Sequence, residues 1–330
     1  MRGMMSGALI IVCAAALPAR PADAQVLKLA ELNTRQVQAL DRARTVVIMP
    51  GGILEEHGPF LPSYTDGYIN ERIADELAQT VGKRPGWTAL MFPTIPLGSG
   101  GANDIGGKYV FPGTFAVRPE TVRAVYMDLA AALGEQGFRW IFIINSHGDP
   151  RQGAALEAAG DYFRDTYGGH MVHLLGFIIG TRAAEGILPK AVQAEDGFTV
   201  HAGVEEHSNI MAIRPDLVAT DVAGAPSITG KDFIDLRRIA AQDGWPGYFG
   251  APRLASASLG QQLLAAEVGT RIDIAMKILD GTDDERSHER YSSFIYKLPG
   301  VAEETAAASS HDEVVNERQR EWLAAHGRKP

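Results

Sequence analysis

The strongest constraint on the fold of this chain is a repeated alternation of short apolar runs with amphipathic segments. The apolar runs are rich in Val, Ile, Leu, Met and Phe, and they cover residues 45–49, 88–92, 140–144 and 171–175. Continuous apolar runs of this length are typical of strands that are buried on both faces. Since helical segments separate them, the pattern predicts a three-layer α/β/α fold with a mainly parallel central sheet.

The predicted helices share apolar residues at every third or fourth position. They cover residues 69–81, 119–136, 154–163 and 264–279. Pro119 suits the first turn of the second helix, and Gly137 follows the end of that same helix. Gly281 follows the end of the last helix. The glycine-rich segment 98–107 has neither pattern and is expected to be a mobile loop at the rim of a site.

Residues 1–24 have the pattern of a secretory signal peptide. Arg2 precedes an apolar run over residues 8–17, and an Ala-Asp-Ala sequence ends at residue 24. A membrane anchor is the alternative, but this run is shorter than the ~20 residues that span a bilayer. We therefore expect an exported protein, periplasmic or secreted, that is free of the membrane after cleavage.

Composition limits the remaining possibilities. The chain carries 40 acidic and 31 basic residues, a formal charge of -9, which argues against nucleic acid as a partner. The single cysteine, Cys13, lies within the predicted signal peptide, so the mature chain would form no disulfide. Residues 25–282 are predicted to form one catalytic domain, and the polar segment 283–330 a surface extension or an arm that packs on a neighbouring subunit.

Candidate metal ligands follow two of the predicted strands. Glu55 and His57 project from the same side of an extended segment, because alternate side chains point the same way. The prolines and glycine that follow would turn the chain and return Asp66 to the same pocket, and His147 follows another strand. Each residue alone has an ordinary explanation as a loop or capping residue. Together, these oxygen and nitrogen ligands suit zinc, manganese or ferrous iron.

A third cluster, HAGVEEHS at residues 201–208, contains His201 and Glu206. A helix that carries such residues would be able to reach the same metal ions. The alternative is that this stretch is only the charged, exposed start of a helix.

Four motifs occur in order along the chain: EEHGPFLPSYTD at 55–66, FPGT at 111–114, NSHGD at 145–149 and HAGVEEHS at 201–208. Their order and spacing resemble those of the creatininase family of metal-dependent amidohydrolases, over roughly residues 45–280. The resemblance implies a creatininase-like fold. It also implies that Glu55, Asp66 and His147 hold one metal ion, while His57 and Asp66 hold a second.

The resemblance leaves the last ligand of the second metal ion open. Asp149 stands two residues after His147, where creatininase itself has a carboxylate. Glu206 matches a glutamate of the family that is either a further ligand or supports one. His201 matches a histidine that can donate a proton, so the resemblance implies catalytic roles for His201 and Glu206.

The activity implied is hydrolysis of a C–N bond, other than a peptide bond, in a small amide or cyclic amide by a metal-activated hydroxide. The implied cofactors are two divalent metal ions, zinc first, with manganese or iron as alternatives. The implied partners are the small-molecule substrate and further copies of the chain, because relatives form hexamers.

Two alternatives remain open. The same dinuclear centre would also serve a lactonase or a small-peptide hydrolase, because an activated water does not select its substrate. A catalytically silent periplasmic binding protein is the other alternative, since Lys108, Pro150 and His207 depart from the family's usual residues.

Overall fold

A fully parallel five-stranded sheet forms the centre of the protein. The computed structural model describes residues 25–177 and 186–329, so the predicted signal peptide lies outside the described residues. The strands are β1 (Val26–Lys28), β2 (Thr45–Pro50), β3 (Thr88–Met91), β4 (Trp140–Ile144) and β5 (His170–His173), in the order β1-β3-β2-β4-β5. The predicted α/β fold with a parallel sheet is confirmed.

Helices cover both faces of the sheet. The α-helices of the described chain are α1 (Thr34–Gln38), α2 (Thr65–Gly82), α3 (Pro119–Glu135), α4 (Pro150–Tyr167), α5 (Lys190–Asp196), α6 (Val204–Ile213), α7 (Phe233–Ala240), α8 (Ala257–Leu279), α9 (Tyr291–Ile295) and α10 (Val301–Ala325). None of the helices in the described ranges is long and apolar enough to cross a membrane.

Strand β2 shows why the sheet has a core on each side. Val46 and Ile48 pack in the cluster that includes side chains of α2 and α8, whereas Val47 and Met49 pack in the cluster that includes side chains of α3 and α4. All four side chains are fully buried. Because successive residues of a strand face opposite sides, a strand between two helical layers must be apolar at every position.

The register of the central strands positions the loops that carry the candidate ligands. Pro50 at the end of β2 pairs with Ile144 at the end of β4, and the Gly51 N–H donates to the Ile144 carbonyl at 2.8 Å. The loops that follow these strands therefore leave the sheet side by side. Parallel sheets bind their ligands at this edge.

The predicted helices are present, but α2, α4 and α8 begin earlier than the periodicity indicated. Asp149 caps α4 by accepting a hydrogen bond from the Gln152 N–H at 2.7 Å, and Ser256 caps α8 in the same way. First turns that consist of small or polar residues carry little apolar signal. Strand β1 was not predicted, because it is short and only half-buried.

The glycine-rich segment 98–107 differs from the expected loose rim. Ser99 and Asn103 are buried, and a short 3-10 helix runs over Ala102–Gly106. The Ser99 N–H donates to Gln152 of α4 at 2.6 Å, which ties the segment to the domain. Its glycines allow the segment to pack closely against neighbouring backbone and side chains. They do not make it a loosely packed loop.

The C-terminal polar segment is helical and divides into two parts. Val301, Glu304 and Ala308 are buried, so the first turns of α10 pack on the domain. Val314 and Trp322, further along α10, are 57% and 56% exposed. The first turns of α10 therefore belong to the packed domain, whereas the later turns are exposed.

The sheet interior should dominate stability. Ile143→Ala in β4 removes a fully buried side chain and should lower the free energy of unfolding by about 2–5 kcal/mol. Ile234→Ala is the matched control, since Ile234 is 54% exposed and should change stability by less than about 0.5 kcal/mol. Urea denaturation of both variants measures the difference. Equal losses would contradict the described core.

Candidate metal centre

Three carboxylates and three imidazoles meet at the carboxyl edge of the sheet. Glu55 and His57 lie in the loop after β2, Asp66 lies in the first turn of α2, and His147 follows β4. The remaining two are His201, which lies just before α6, and Glu206, which lies in the first turn of α6. All are buried except Glu206, whose side chain is 25% exposed. The structure thus brings together residues that are far apart in the sequence.

Two groups of ligand atoms share one carboxylate. Nδ1 of His147 lies 3.0 Å from Oε2 of Glu55 and 3.8 Å from Oδ2 of Asp66. Nε2 of His57 lies 3.9 Å from the same Asp66 oxygen and 3.8 Å from Oε1 of Glu206. In each group the ligand atoms lie within 4.8 Å of one another, which leaves room for a cation between them. Asp66 is in position to bridge two cations.

Backbone carbonyls determine which histidine nitrogens face the centre. Nε2 of His147 lies 3.0 and 2.8 Å from the carbonyl oxygens of Ser99 and Gly100, and Nδ1 of His57 lies 3.1 Å from that of Glu55. Because a carbonyl only accepts, each of these nitrogens carries the proton and donates it. The opposite nitrogen of each ring therefore faces the carboxylates and is the one able to bind a cation.

Two atoms at the centre lack any hydrogen-bond partner among the described residues. They are Nε2 of His57 and Oδ2 of Asp66, and both are buried. Buried polar atoms are almost always hydrogen-bonded or bound to a metal ion. Since both atoms are acceptors when the ring is neutral, the donor set fits a cation rather than a hydrogen-bond donor of the protein.

The electrostatics of the cluster also favour a cation. Burial, followed by the neighbouring Glu55 charge and offset in part by His57, raises the pKa of Asp66 to about 7. Burial alone would lower the pKa of His147, but the Glu55 carboxylate raises it to about 10. Glu55 itself has a pKa well below its usual range, because the nearby histidines outweigh the effect of burial. The centre therefore attracts positive charge, whether a proton or a metal ion.

The glycine-rich segment supports the ligand Glu55. The Ala102 N–H donates to Oε1 of Glu55 at 2.6 Å, which fixes the orientation of the carboxylate. Gly100 adopts a φ of +71°, and a Cβ there would lie 1.9 Å from Oδ2 of Asp149. These backbone contacts were not predicted, and their only signal in the sequence was the unusual density of glycines.

His201 lies beside the proposed ligands. Its ring centroid is 4.3 Å from that of His57, and its Nε2 donates to the Glu56 carbonyl at 2.6 Å. Oε1 of Glu56 lies 3.5 Å from the same nitrogen, and Nδ1 faces Oε1 of Glu55 at 3.7 Å. The Glu56 carboxylate was not predicted to take part, because the alternation of the strand was expected to turn it away.

The structure places Asp149 apart from the second group of ligands. Its carboxylate caps α4 through the Gln152 N–H and pairs with Arg151 at 3.2 Å. Among the described residues, it is Glu206 that joins His57 and Asp66 in a group able to hold a metal ion. The helix cap and the ion pair engage the Asp149 oxygens, although Asp149 lines the same cavity as Asp66 and His147. Its role as a ligand stays a prediction.

A cavity of about 320 Å³ opens onto the centre. Of the residues that depart from the family's usual ones, Pro150 lines the cavity. Lys108 instead donates to the Gln242 carbonyl at 2.6 Å, and His207 is fully buried and donates from Nδ1 to the Gly203 carbonyl. The volume suits a small organic molecule.

Known proteins share the pattern of this chain. The family model described as "Creatininase: Creatinine amidohydrolase" matches residues 30–274. A mycofactocin precursor peptide peptidase of Mycobacterium ulcerans (strain Agy99) is 26% identical over 263 residues, which cover 77% of this chain and 94% of the relative. A creatinine amidohydrolase of Pseudomonas putida is 25% identical over 243 residues, which cover 71% and 90% of the two chains.

Solved structures share the fold. "Creatininase Mn" matches with a TM-score of 0.58 at 21% identity, covering 77% of this chain and 98% of that one. A mutant creatininase of the Zn-Zn type matches with a TM-score of 0.59 at 21% identity, again covering 77% and 98%. At 21% identity the similarity establishes the fold alone.

Neutralising the shared carboxylate should weaken metal binding. Asp66→Asn removes the charge that both ligand groups use, so we expect zinc affinity to fall by at least about tenfold. Asp75→Asn is the matched control, because Asp75 lies on the exposed side of the same helix. Zinc per chain after dialysis, measured by mass spectrometry, distinguishes them. An unchanged zinc content in Asp66→Asn would exclude this residue as a ligand.

Proposed function

Since the chain belongs to the creatininase family, a family of hydrolases, we propose that it hydrolyses the C–N bond of a small amide or cyclic amide at a dinuclear metal centre. The observation that supports this most directly is the position of Asp66. Its carboxylate belongs to both groups of ligand atoms, and its Oδ2 has no hydrogen-bond partner in the described part of the chain.

The proposed cofactors are two divalent cations. Glu55, Asp66 and His147 would hold one, and His57, Asp66 and Glu206 the other. Zinc or manganese suits this mixture of carboxylate and imidazole ligands, with zinc proposed first and iron as an alternative. Such cations ionise a water near neutral pH and polarise the carbonyl oxygen of the substrate.

His201 is the proposed proton donor. A departing amide nitrogen is a poor leaving group unless it receives a proton, whereas a lactone oxygen has less need of one. Glu56 holds His201 through its carbonyl and stabilises a charged ring through its carboxylate at 3.5 Å. When the ring is charged, Nδ1 carries the second proton, and this is the proton that His201 would transfer to a substrate in the cavity that it lines. This arrangement favours C–N over C–O hydrolysis.

A small-peptide hydrolase is the second candidate function. The similarity to the mycobacterial peptidase covers 94% of that protein, and the chemistry of the centre would be the same for a peptide bond. The cavity of about 320 Å³ has the size of a small-molecule site and would hold either a small amide or a short peptide.

We also propose that the protein is exported and forms a homo-oligomer. Export is supported by the signal-peptide pattern of residues 1–24. An oligomer is supported by the exposed apolar side chains Val314 and Trp322 on the second part of α10.

Metal removal should abolish turnover. The protein reconstituted with zinc or manganese should release ammonia or amine from at least one class among cyclic amides, formamides and short peptides. Chelation should stop the reaction, and addition of the metal should restore it. Exclusive cleavage of lactones would favour the lactonase alternative, and two bound metal ions without turnover on any of these compounds would favour the binding protein.

Removal of the proton donor should separate metal binding from catalysis. His201→Ala should retain its metal ions and lose ~100- to 10,000-fold in kcat, which is the usual contribution of a general acid. His326→Ala, at an exposed position of the C-terminus, serves as the control. Metal analysis and steady-state kinetics test the two effects. Normal turnover in His201→Ala would remove His201 from the mechanism.

A further inference from the structure

Part of the wall of the cavity at the candidate metal centre comes from the C-terminal segment. Residues of α9 and α10 and of the turn between them line it: Tyr291, Ile295, Leu298, Val301 and Glu304. The Tyr291 hydroxyl donates to the Gly148 carbonyl at 2.6 Å, next to the ligand His147. All five residues lie beyond the family match, which ends at residue 274. This wall is thus an addition to the shared fold at the place where a substrate would bind.

The same segment completes an acidic cluster around one arginine. Arg151 is buried and pairs with Asp104 at 3.1 Å, Asp149 at 3.2 Å and Asp312 of α10 at 3.1 Å. One guanidinium therefore already balances three carboxylates. Arg151 would therefore stabilise a further nearby carboxylate only weakly.

Glu304 is that further acidic group. It is only 6% exposed, and it lines the cavity. Among the described residues no cation lies within ion-pairing distance of it, and its one hydrogen-bond contact is the Thr305 hydroxyl at 3.5 Å. Burial, then the charge of Asp149, raises its pKa to about 7 despite the opposing effect of Arg151. A buried carboxylate without a cation is costly, and a cationic ligand would relieve that cost.

The cavity that Glu304 lines also has apolar walls. Ile105, Phe233, Ile295 and Leu298 line the same cavity. A ligand that fits both features has a short apolar stem and a positively charged end. Ammonium and guanidinium groups meet the second requirement, and both form charge-assisted hydrogen bonds with a carboxylate.

We propose that Glu304 forms a subsite for a cationic group, an alkylammonium or alkylguanidinium carried by the substrate on an apolar stem. That the ligand is a substrate rests on the proposed hydrolase function, whereas the binding itself requires no turnover. The C-terminal wall would then select cationic amides from the many amides that the metal centre is able to hydrolyse.

Binding of a matched pair of small molecules tests the subsite. Butylguanidinium and butylurea have nearly the same shape but differ in charge, and the guanidinium does not coordinate metal ions because it remains protonated. Isothermal titration calorimetry on the metal-loaded protein should show butylguanidinium binding at least tenfold more tightly. Glu304→Gln should reduce this preference to less than about twofold, since charged hydrogen-bond partners are lost.

Glu303→Gln is the matched control, because Glu303 is the exposed neighbour of Glu304 and its loss changes the net charge equally. It should keep the preference of the wild-type protein. Equal binding of both compounds by the wild type, or a preference that survives in Glu304→Gln, would overturn the proposal. Should Glu304→Gln fail to fold, the wild-type comparison decides alone.

A hydrolysis comparison separates this inference from the proposed function. The ratio of kcat/KM for 6-aminohexanamide to that for hexanamide should exceed tenfold in the wild type and fall towards one in Glu304→Gln. If neither amide is hydrolysed but the guanidinium preference holds, the subsite stands and these amides are not substrates. If both are hydrolysed without preference and no binding difference is found, the subsite is wrong and the hydrolase proposal stands.

Discussion

The parallel pairing of β2 with β4 is the constraint on which the site depends. With Pro50 opposite Ile144, the two following loops leave the same edge of the sheet as neighbours. One loop carries Glu55 and His57, and the other carries His147. The strands are held in this register by apolar side chains on both faces, so the packing of the two cores also fixes the spacing of the candidate ligands.

The candidate centre combines negative charge with orientation by the backbone. Carbonyl groups hold one nitrogen of each of His57, His147 and His201, which leaves the second nitrogen of each ring facing the carboxylates. A buried cluster of this kind is unfavourable unless a cation balances it. The geometry of the cluster is therefore typical of a cation-binding site rather than of a hydrogen-bond network that only stabilises the fold.

The same centre is compatible with several hydrolytic reactions, so selectivity must come from the surrounding wall. In this chain, part of that wall comes from the segment that begins with α9. Tyr291 ties the segment to the loop of His147, and Glu304 adds a carboxylate without a cationic partner. The candidate centre thus borders a surface from beyond the family match, at the place where a substrate would lie.

The sequence by itself determined the parallel α/β fold and the elements that carry Glu55, His57, Asp66 and His147. It did so because apolar strand segments and short motifs consist of residues that are adjacent in the sequence. Only the tertiary structure, in the residues that it describes, groups Glu206 rather than Asp149 with His57 and Asp66, because the Asp149 carboxylate caps α4 and pairs with Arg151. It also decided the position of Glu304. A polar helix such as α10 has the composition of a solvent-exposed surface. Its burial against the cavity depends on contacts with residues far away in the sequence, which a local sequence pattern does not reveal.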